Sequence, residues 1–377
     1  MKISLLTDGI YPYVMGGMQK HSYFLAKHLA QKGVEIDLYH FVPVSNSNLE
    51  APFSAEELAY INIINLEYPA KKRFPGHYLY ERYLYSKAIL NQLNQRPLPD
   101  FIYAKGFSGW AILKSREFRK KKIPIGVNFH GYEMFQRWPD LKTGLKLQIL
   151  KAPVKYTMAQ ADFLFSYGGK ISEIISKKGF EDKIIEIPTG IGSEWLRETL
   201  GERKDQKIRF VFVGRSERRK GIVELNKVLT SSGFQNFEFH FVGPIPESDR
   251  LIKEDIIYHG ALSNQQEIKS VLDQMDVLVC PSYSEGMPNV IMEGMARGLV
   301  IIATDVGAVN MLVDEANGWV IKGDIITGIK DAIIKAINVD DKSLMKMKWK
   351  SINKVKESFT WEEVIKTTIS KIQECIS

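Results

Sequence analysis

DVLVCPSYSEGMPNVIMEGMARG, residues 276–298, reads as strand, loop and helix in that order. Val277–Cys280 is a continuous apolar run, the pattern of a strand covered on both faces, as strands of parallel sheets are. Gly286 and Pro288 break the pattern, and a helical one begins near Asn289. Glycine permits close backbone approach, and proline suits the first turn of a helix. A strand leading straight into a helix is half of a crossover unit. Ligands of such sheets bind where the loop leaves the strand's carboxyl end.

The same rhythm runs outward from this stretch. Behind it lie apolar runs at Ile208–Val213, Glu238–Val242 and Ile256–Tyr258; ahead lie Val300–Ala303 and Trp319–Ile321. The first half repeats the series with Lys2–Asp8, Val34–Phe41, Ile61–Leu66, Asp100–Ala104, Pro124–His130, Asp162–Ser166 and Ile184–Ile187. Helical patterns such as His21–Gln31, Tyr78–Leu93 and Leu141–Ala159 fall between them, and Lys342–Lys356 and Trp361–Ile376 close the chain. Strands alternating with helices predict parallel sheets joined by right-handed crossovers. The polar connector Arg197–Lys207 (RETLGERKDQK) separates the two series. The prediction is an α/β protein of two doubly wound, Rossmann-like domains facing a cleft, 1–190 and 191–357, with residues 358–377 as a closing helix.

Composition agrees. A length of 377 residues suits two domains, and 45% hydrophobic with 25% charged residues is globular rather than disordered or low-complexity. Cys280 and Cys375 cannot make a disulfide framework or a four-thiolate zinc site, so a reducing, cytoplasmic setting is expected. No run approaches the ~18 apolar residues of a spanning helix, and the amino terminus lacks the pattern of a secretory signal. The net charge of +7 is uneven. Residues 1–190 carry 26 Lys and Arg against 17 Asp and Glu, a net +9; the remainder carries 25 against 27, a net −2. A basic half can face nucleic acid, an anionic membrane or an anionic substrate.

Four loops could carry chemistry. In the opening stretch, Glu285 lies in the loop and Glu293 one turn into the helix. Helix-terminal amides can take an anion, and a carboxylate can accept two hydrogen bonds from vicinal sugar hydroxyls. Two solvated glutamates flanking a helix start would read the same way. VGRSERRKG, Val213–Gly221, puts Arg215 and Lys220 on the loop after another strand, where two cations can neutralise a diphosphate; a solvated charged turn is the plainer account. YPYVMGGMQKH, Tyr11–His21, has Gly16 and Gly17 before a helix, able to reach a phosphate or simply to make a turn. NFHGYE, Asn128–Glu133, ends a strand at His130, which of the seven histidines is best placed for chemistry, although a structural role would also fit. His21 and His28 fall on a helix and His240 in a strand. No histidine pair has metal-ligand spacing, so no protein-bound metal and no cofactor is expected.

Together VGRSERRKG, HGALS (259–263), DVLVCPSYSEGMPNVIMEGMARG and ATDVGAVNMLV…NGWVI resemble the GT-B glycosyltransferases of family 4. The GG loop, HGYE and the closing FTWEEV helix fit as well, so the resemblance spans nearly the whole chain. It implies an acceptor-side first domain, a nucleotide-sugar-binding second domain, and a final helix returning to the first. It implies transfer of a sugar from a nucleotide-diphosphate donor, UDP- or GDP-linked, with retention of configuration. Arg215 and Lys220 would hold the diphosphate and Glu293 the ribose. Glu285 with the amides that follow it, in the stretch Gly286, Met287, Pro288 and Asn289, would take the donor sugar. Gly17, with Gly16 beside it, would approach the phosphate from the first domain, and His130 would sit by the sugar near the reacting centre. No carboxylate nucleophile is implied, since the leaving phosphate accepts the acceptor's proton.

Two segments depart from that pattern. TGIG (189–192) stands where NGVD is frequent, and GLV (298–300) where GLP is usual. The acceptor side has no recognisable match. A GT-B sugar-nucleotide epimerase would share the fold but needs its own catalytic acids, for which no match exists; a silent scaffold subunit would not need the complete site set. No groove-reading or RNA-stacking motif is present, which disfavours nucleic acid. The acceptor is expected to be a glycan or a lipid-linked glycan. Two basic segments, 68–87 with Lys71, Lys72 and Arg73 beside Phe74, Tyr78, Tyr80, Tyr83 and Tyr85, and 114–122 (KSREFRKKK), suit an anionic membrane surface on the cytoplasmic side. A solvated basic face with an inward-packed tyrosine helix is the other account of them.

Overall fold

Strands form where the apolar runs are, and all of them lie parallel. The structure, a computed structural model of residues 1–377, describes every residue except 44, 46–51, 70–73, 75, 202, 204 and 263. The first domain holds β1 (Lys2–Leu6), β2 (Glu35–His40), β3 (Ile61–Asn65), β4 (Phe101–Lys105), β5 (Ile125–Asn128), β6 (Phe163–Ser166) and β7 (Ile184–Glu186). Their order across the sheet is β3-β2-β1-β4-β5-β6-β7. The second holds β8 (Ile208–Val213), β9 (Phe237–Val242), β10 (Ile256–Gly260), β11 (Val277–Cys280), β12 (Val300–Thr304) and β13 (Gly318–Ile321), ordered β10-β9-β8-β11-β12-β13. Every expected run is a strand. Ends differ by a residue at several strands and by two at the carboxyl ends of β1, β5 and β10: Asp8 lies beyond β1 and pairs with Arg82, and His130 lies beyond β5 with a left-handed backbone, φ 59°.

Both sheets reverse direction at their centre, between β1 and β4 and between β8 and β11. Those are the crevices where loops diverge and a ligand can enter. Alternate side chains of each strand point to opposite layers. In the first domain Leu5, Leu38 and Phe165 meet the Gly17–Gln31 helix, while Leu6, Ile102 and Val127 meet the helices His77–Leu93, Leu141–Gln160 and Lys170–Ser176.

The final helix, Trp361–Ile376, packs into the first domain's core through Trp361, Val364, Ile365 and Ile372. The chain passes between domains twice at one place. The Ile191 amide donates to Phe359 O at 2.8 Å and the Trp361 amide to Ile191 O at 3.0 Å, a short parallel bridge. A side chain at Gly190 would put its Cβ 2.6 Å from the Trp361 ring, so TGIG keeps a glycine where the indole lies. Trp361 stacks on His28 with centroids 5.6 Å apart and meets His21 edge-on at 5.4 Å. Among the described residues no helix is long and apolar enough to cross a membrane.

Trp361 is almost fully buried. Truncating a buried tryptophan to alanine costs about 3–5 kcal/mol. Trp361→Ala is therefore expected to lower the urea midpoint of the first domain and leave that of the second nearly unchanged. Two tryptophan-free spectroscopic probes, one in each domain, would read the difference; equal loss in both would show that the helix does not stabilise the first domain alone.

Candidate active site

The loops after β8 and β11 leave adjacent strands at the second sheet's crevice and lock together. Lys220 closes a single 3-10 turn, Arg218–Lys220, and its Nζ lies 2.6 Å from Glu285 Oε1. Ser282 Oγ donates to the same oxygen at 2.7 Å, and Arg219 Nη1 stands 3.8 Å from Oε2. Glu285 is buried, and these three donors make its carboxylate tenable there. The remaining cations divide by depth. Arg218 is bidentate to buried Glu224, at 2.6 and 2.8 Å, which fixes the following helix. Arg215, with 71% of its side chain exposed, pairs with Glu217 at 2.7 Å on the rim. Lys220 and Glu285 thus share one buried contact, and Arg215 stands apart from it.

Glu293 sits half-buried one turn into the Asn289–Ala296 helix. Burial raises its carboxyl above the usual range, and the Lys20 ammonium of the first domain acts the other way. Lys20 lies one turn into the helix that Gly17 begins, so this places the GG loop across the cleft from Glu293. A Cβ added at Gly17 meets no atom within 4 Å; at Gly16 it meets the end of the Gln19 side chain. Asn289 is half-exposed. Met287 and Pro288 are buried, which leaves the backbone of this stretch as the part that can face the cleft. The methionine turns into the second domain's core and its sulfur accepts the Thr189 amide at 3.4 Å, because the short loop must anchor itself before the helix. Any contact Met287 makes with a donor runs through its backbone.

The first domain reaches this loop at its backbone. A Cβ on Gly286 would stand 3.2 Å from the His130 carbonyl carbon and 3.4 Å from the Gly131 nitrogen. Gln136, the residue immediately after the short turn Glu133–Phe135, donates to Glu285 O at 2.6 Å and accepts the Glu285 amide at 3.4 Å. From behind, the Ala308 amide donates to Gly286 O at 2.7 Å. Burial raises the Glu133 carboxyl; nearby Arg219 pulls it down and Glu285 pushes it up.

His130 is held from its own domain. Its amide donates to Asn128 Oδ1 at 2.7 Å, and its Nδ1 is hydrogen-bonded to the Tyr167 hydroxyl. Nε2 is enclosed and has no protein partner. With Tyr167 donating to Nδ1, Nε2 carries the proton and can offer it to a hydroxyl in the cleft. Beneath it, His21 meets the His130 ring edge-on at 5.4 Å, and Lys105 Nζ lies 3.0 Å from His21 Nδ1. Lys105, at the end of β4, is fully buried and sits over the Tyr103 ring at 4.4 Å. Burial holds the Lys105 ammonium well below its usual range. Burial, then Lys105, holds both His21 and His130 well below the usual imidazole range.

Sequence reading missed Gln136, Lys20, Lys105 and His21. Gln136 is an ordinary polar residue until its distance to Glu285 is known. His21 lay in a helical pattern, and only the T-shaped contact brings it to His130. Among the described residues, no three His, Cys, Asp or Glu side chains come together as a metal site.

Two family profiles match the chain, one in each domain. That for Glycosyltransferase Family 4 covers residues 15–195, and that for Glycosyl transferases group 1 covers 207–338. A putative teichuronic acid biosynthesis glycosyltransferase of Bacillus subtilis is 30% identical over 262 residues, which is 66% of this chain and 64% of the relative. The chain thus spans just under two thirds of that protein. An uncharacterized glycosyltransferase of Methanocaldococcus jannaschii is 26% identical over 384 residues, covering 100% of this chain and 99% of the relative. Among solved structures, a sucrose-phosphate synthase of Thermosynechococcus elongatus superposes with a TM-score of 0.73 at 16% identity, covering 99% and 98% of the two chains. That likeness speaks for the two-domain fold.

The histidines generate a pH dependence. His40 and His240, both buried, are lowered to about 4, His40 by burial and His240 by burial and the neighbouring His259. His21 and His130 move the same way. The unfolded chain takes up protons near its ordinary value of about 6.5, before the folded chain does. Stability present above that pH is therefore lost as the pH falls toward the folded values. His40 and His240 alone predict a loss of about 2 kcal/mol each between pH 7.5 and pH 5. Urea titrations at the two pH values would measure it; a midpoint unchanged down to pH 5 would contradict these environments.

Proposed function

We propose that this chain, which belongs to the family-4, group-1 glycosyltransferases, moves a sugar from a UDP- or GDP-linked donor to a glycan or lipid-linked acceptor with retention of configuration. Its place would be cell-surface polysaccharide or glycolipid synthesis, as the name of the Bacillus subtilis relative suggests. The observation that carries the reading is the buried Lys220–Glu285 contact facing His130 across the Gly131–Gly286 approach. It sets a cation, a carboxylate and a neutral imidazole donor around one cleft.

Each group has a task in that reaction. The donor diphosphate takes the Lys220 ammonium, with Arg215 swinging from the rim to the same anion. Glu285, released from Lys220, accepts hydrogen bonds from donor-sugar hydroxyls, while Glu293 accepts them from the ribose. His130 Nε2–H donates to a sugar hydroxyl, and its neutral form leaves the developing positive charge at the anomeric carbon unopposed. Departure of the diphosphate and arrival of the acceptor oxygen occur on one face of the sugar. The departing phosphate oxygen takes the acceptor's proton, so no protein nucleophile is needed. The diphosphate charge is met by side-chain cations, with no protein-bound metal.

Charge-assisted contacts to phosphate contribute about 1.5–3 kcal/mol each. Lys220→Ala is expected to weaken donor binding about tenfold or more. Calorimetric titration with bare nucleoside diphosphate should show a large loss for Glu293→Gln and a small one for Glu285→Gln, the latter losing sugar discrimination instead. Comparable losses of the diphosphate in both variants would overturn these roles. Product analysis with a panel of nucleotide sugars tests the activity itself: isomerised donor would mean an epimerase, and no turnover with any acceptor extract would mean a silent subunit. Activity abolished by EDTA and restored by Mn²⁺ would refute the metal-free reading.

A further inference from the structure

The helix Leu141–Gln160 has apolar residues on two opposite sides, and only one is covered. Leu147, Leu150, Val154 and Met158 face the first domain's core. Opposite them, Leu141 is 79%, Leu145 71% and Ile149 63% exposed, with Tyr156 at 38%. Steps of four, four and seven residues keep these on one side of a helix, and exposed Ala152 fills the gap between Ile149 and Tyr156. The stripe is continuous over more than four turns, which an isolated exposed leucine is not.

Charge frames the stripe. Lys142 and Lys146 run along one edge and Lys151 and Lys155 along the other, and the helix contains no Asp or Glu. Trp138, partly exposed, precedes the helix and covers Gly144. We propose that this face docks on an anionic lipid bilayer, apolar stripe inward and lysines at headgroup level. Lysine stems lie along apolar surface while their ammonium groups stay in the polar layer. A helix with an apolar face between basic edges is the form that lies in a membrane interface. A second copy of the chain fits worse: a two-fold contact through this face sets four lysines against four others.

The surface differs from the one expected from the basic segments. Tyr85 is buried, and Tyr83 packs on Trp110 with centroids 5.5 Å apart, so part of the tyrosine helix faces inward. Phe74, Tyr78 and Tyr80 remain exposed, and Lys71, Lys72 and Arg73 lie outside the described residues. Tyr68, Leu79 and Tyr85 of the first segment and Phe118 of the second belong to the layer that also holds the 141–160 helix. The docking face begins five residues after Gln136, the residue clasping Glu285, so membrane contact would be coupled through a short chain segment to the cleft. The inference stands apart from the transferase reading, because binding needs no substrate.

Co-sedimentation of the full chain at ionic strength near 0.15 M tests it, with phosphatidylglycerol–phosphatidylcholine vesicles against phosphatidylcholine alone. At least tenfold stronger binding to the anionic vesicles is expected. The Leu145→Glu, Ile149→Glu double variant should lose tenfold or more of it, with an unchanged thermal melt because both sites are exposed. Lys142→Gln with Lys146→Gln, which leaves the apolar stripe intact, should weaken binding severalfold on anionic vesicles only. Negligible wild-type binding, or binding that neither variant changes, would overturn the proposal. So would a wild-type dimer in sedimentation equilibrium that the double glutamate variant converts to monomer without any vesicle effect.

Discussion

The backbone at Glu285–Gly286 is the point on which the cleft depends. Its carboxylate is buried against Lys220 and Ser282 while its amide and carbonyl are clasped by Gln136 from the other domain. A buried carboxylate without partners is strongly disfavoured, so the β8 and β11 loops are obliged to come together. Gly286 then admits the His130–Gly131 backbone to van der Waals distance. A Cβ there would stand 3.2 Å from the His130 carbonyl carbon, so the two backbones would have to give way where groups from both domains meet. The same residue pair therefore serves the second domain's internal order and the closure between domains.

A different interaction holds the two domains in one chain. The crossings at Ile191 and Thr360 are hydrogen-bonded to each other, and Trp361 fills the space over Gly190. Bringing the outgoing and returning strands together at one spot gives a single pivot rather than two independent linkers. Trp361 also touches His21, which touches His130. The pivot and the imidazole at the cleft are thus two ring contacts apart, both within the first domain's packed interior. Motion about the pivot would carry His130 as part of a rigid body.

The strands were legible because their signal is local. A buried parallel strand needs a continuous apolar run, and each run sits between turn-forming residues that no other reading explains as well. The places of the loop residues were legible for the same reason: Arg215, Lys220 and Glu285 lie in the loops that follow β8 and β11, and Glu293 in the helix that the second loop opens. What the loops do to one another was not. Lys220 and Glu285 are 65 positions apart and Gln136 and Glu285 are 149 apart, and pairings of that kind appear only after the sheets are ordered.

The 141–160 helix shows a further limit of pattern reading. Helix assignment rests on contrast between an apolar and a polar face. With apolar residues inside and out, this segment still reads as a helix by length and composition, but nothing marks which side is covered. Only packing resolves that: Val154 and Met158 are buried to 0%, whereas Leu141 and Leu145, chemically similar, stay in water. Lysines at both borders of the exposed side keep such a surface soluble, since like charges oppose close approach of two copies. The same lysines would draw the face toward an anionic layer. On the docking proposed above, a single arrangement of side chains would both oppose self-association and select a charged interface, beside the loop that carries His130 and Gln136.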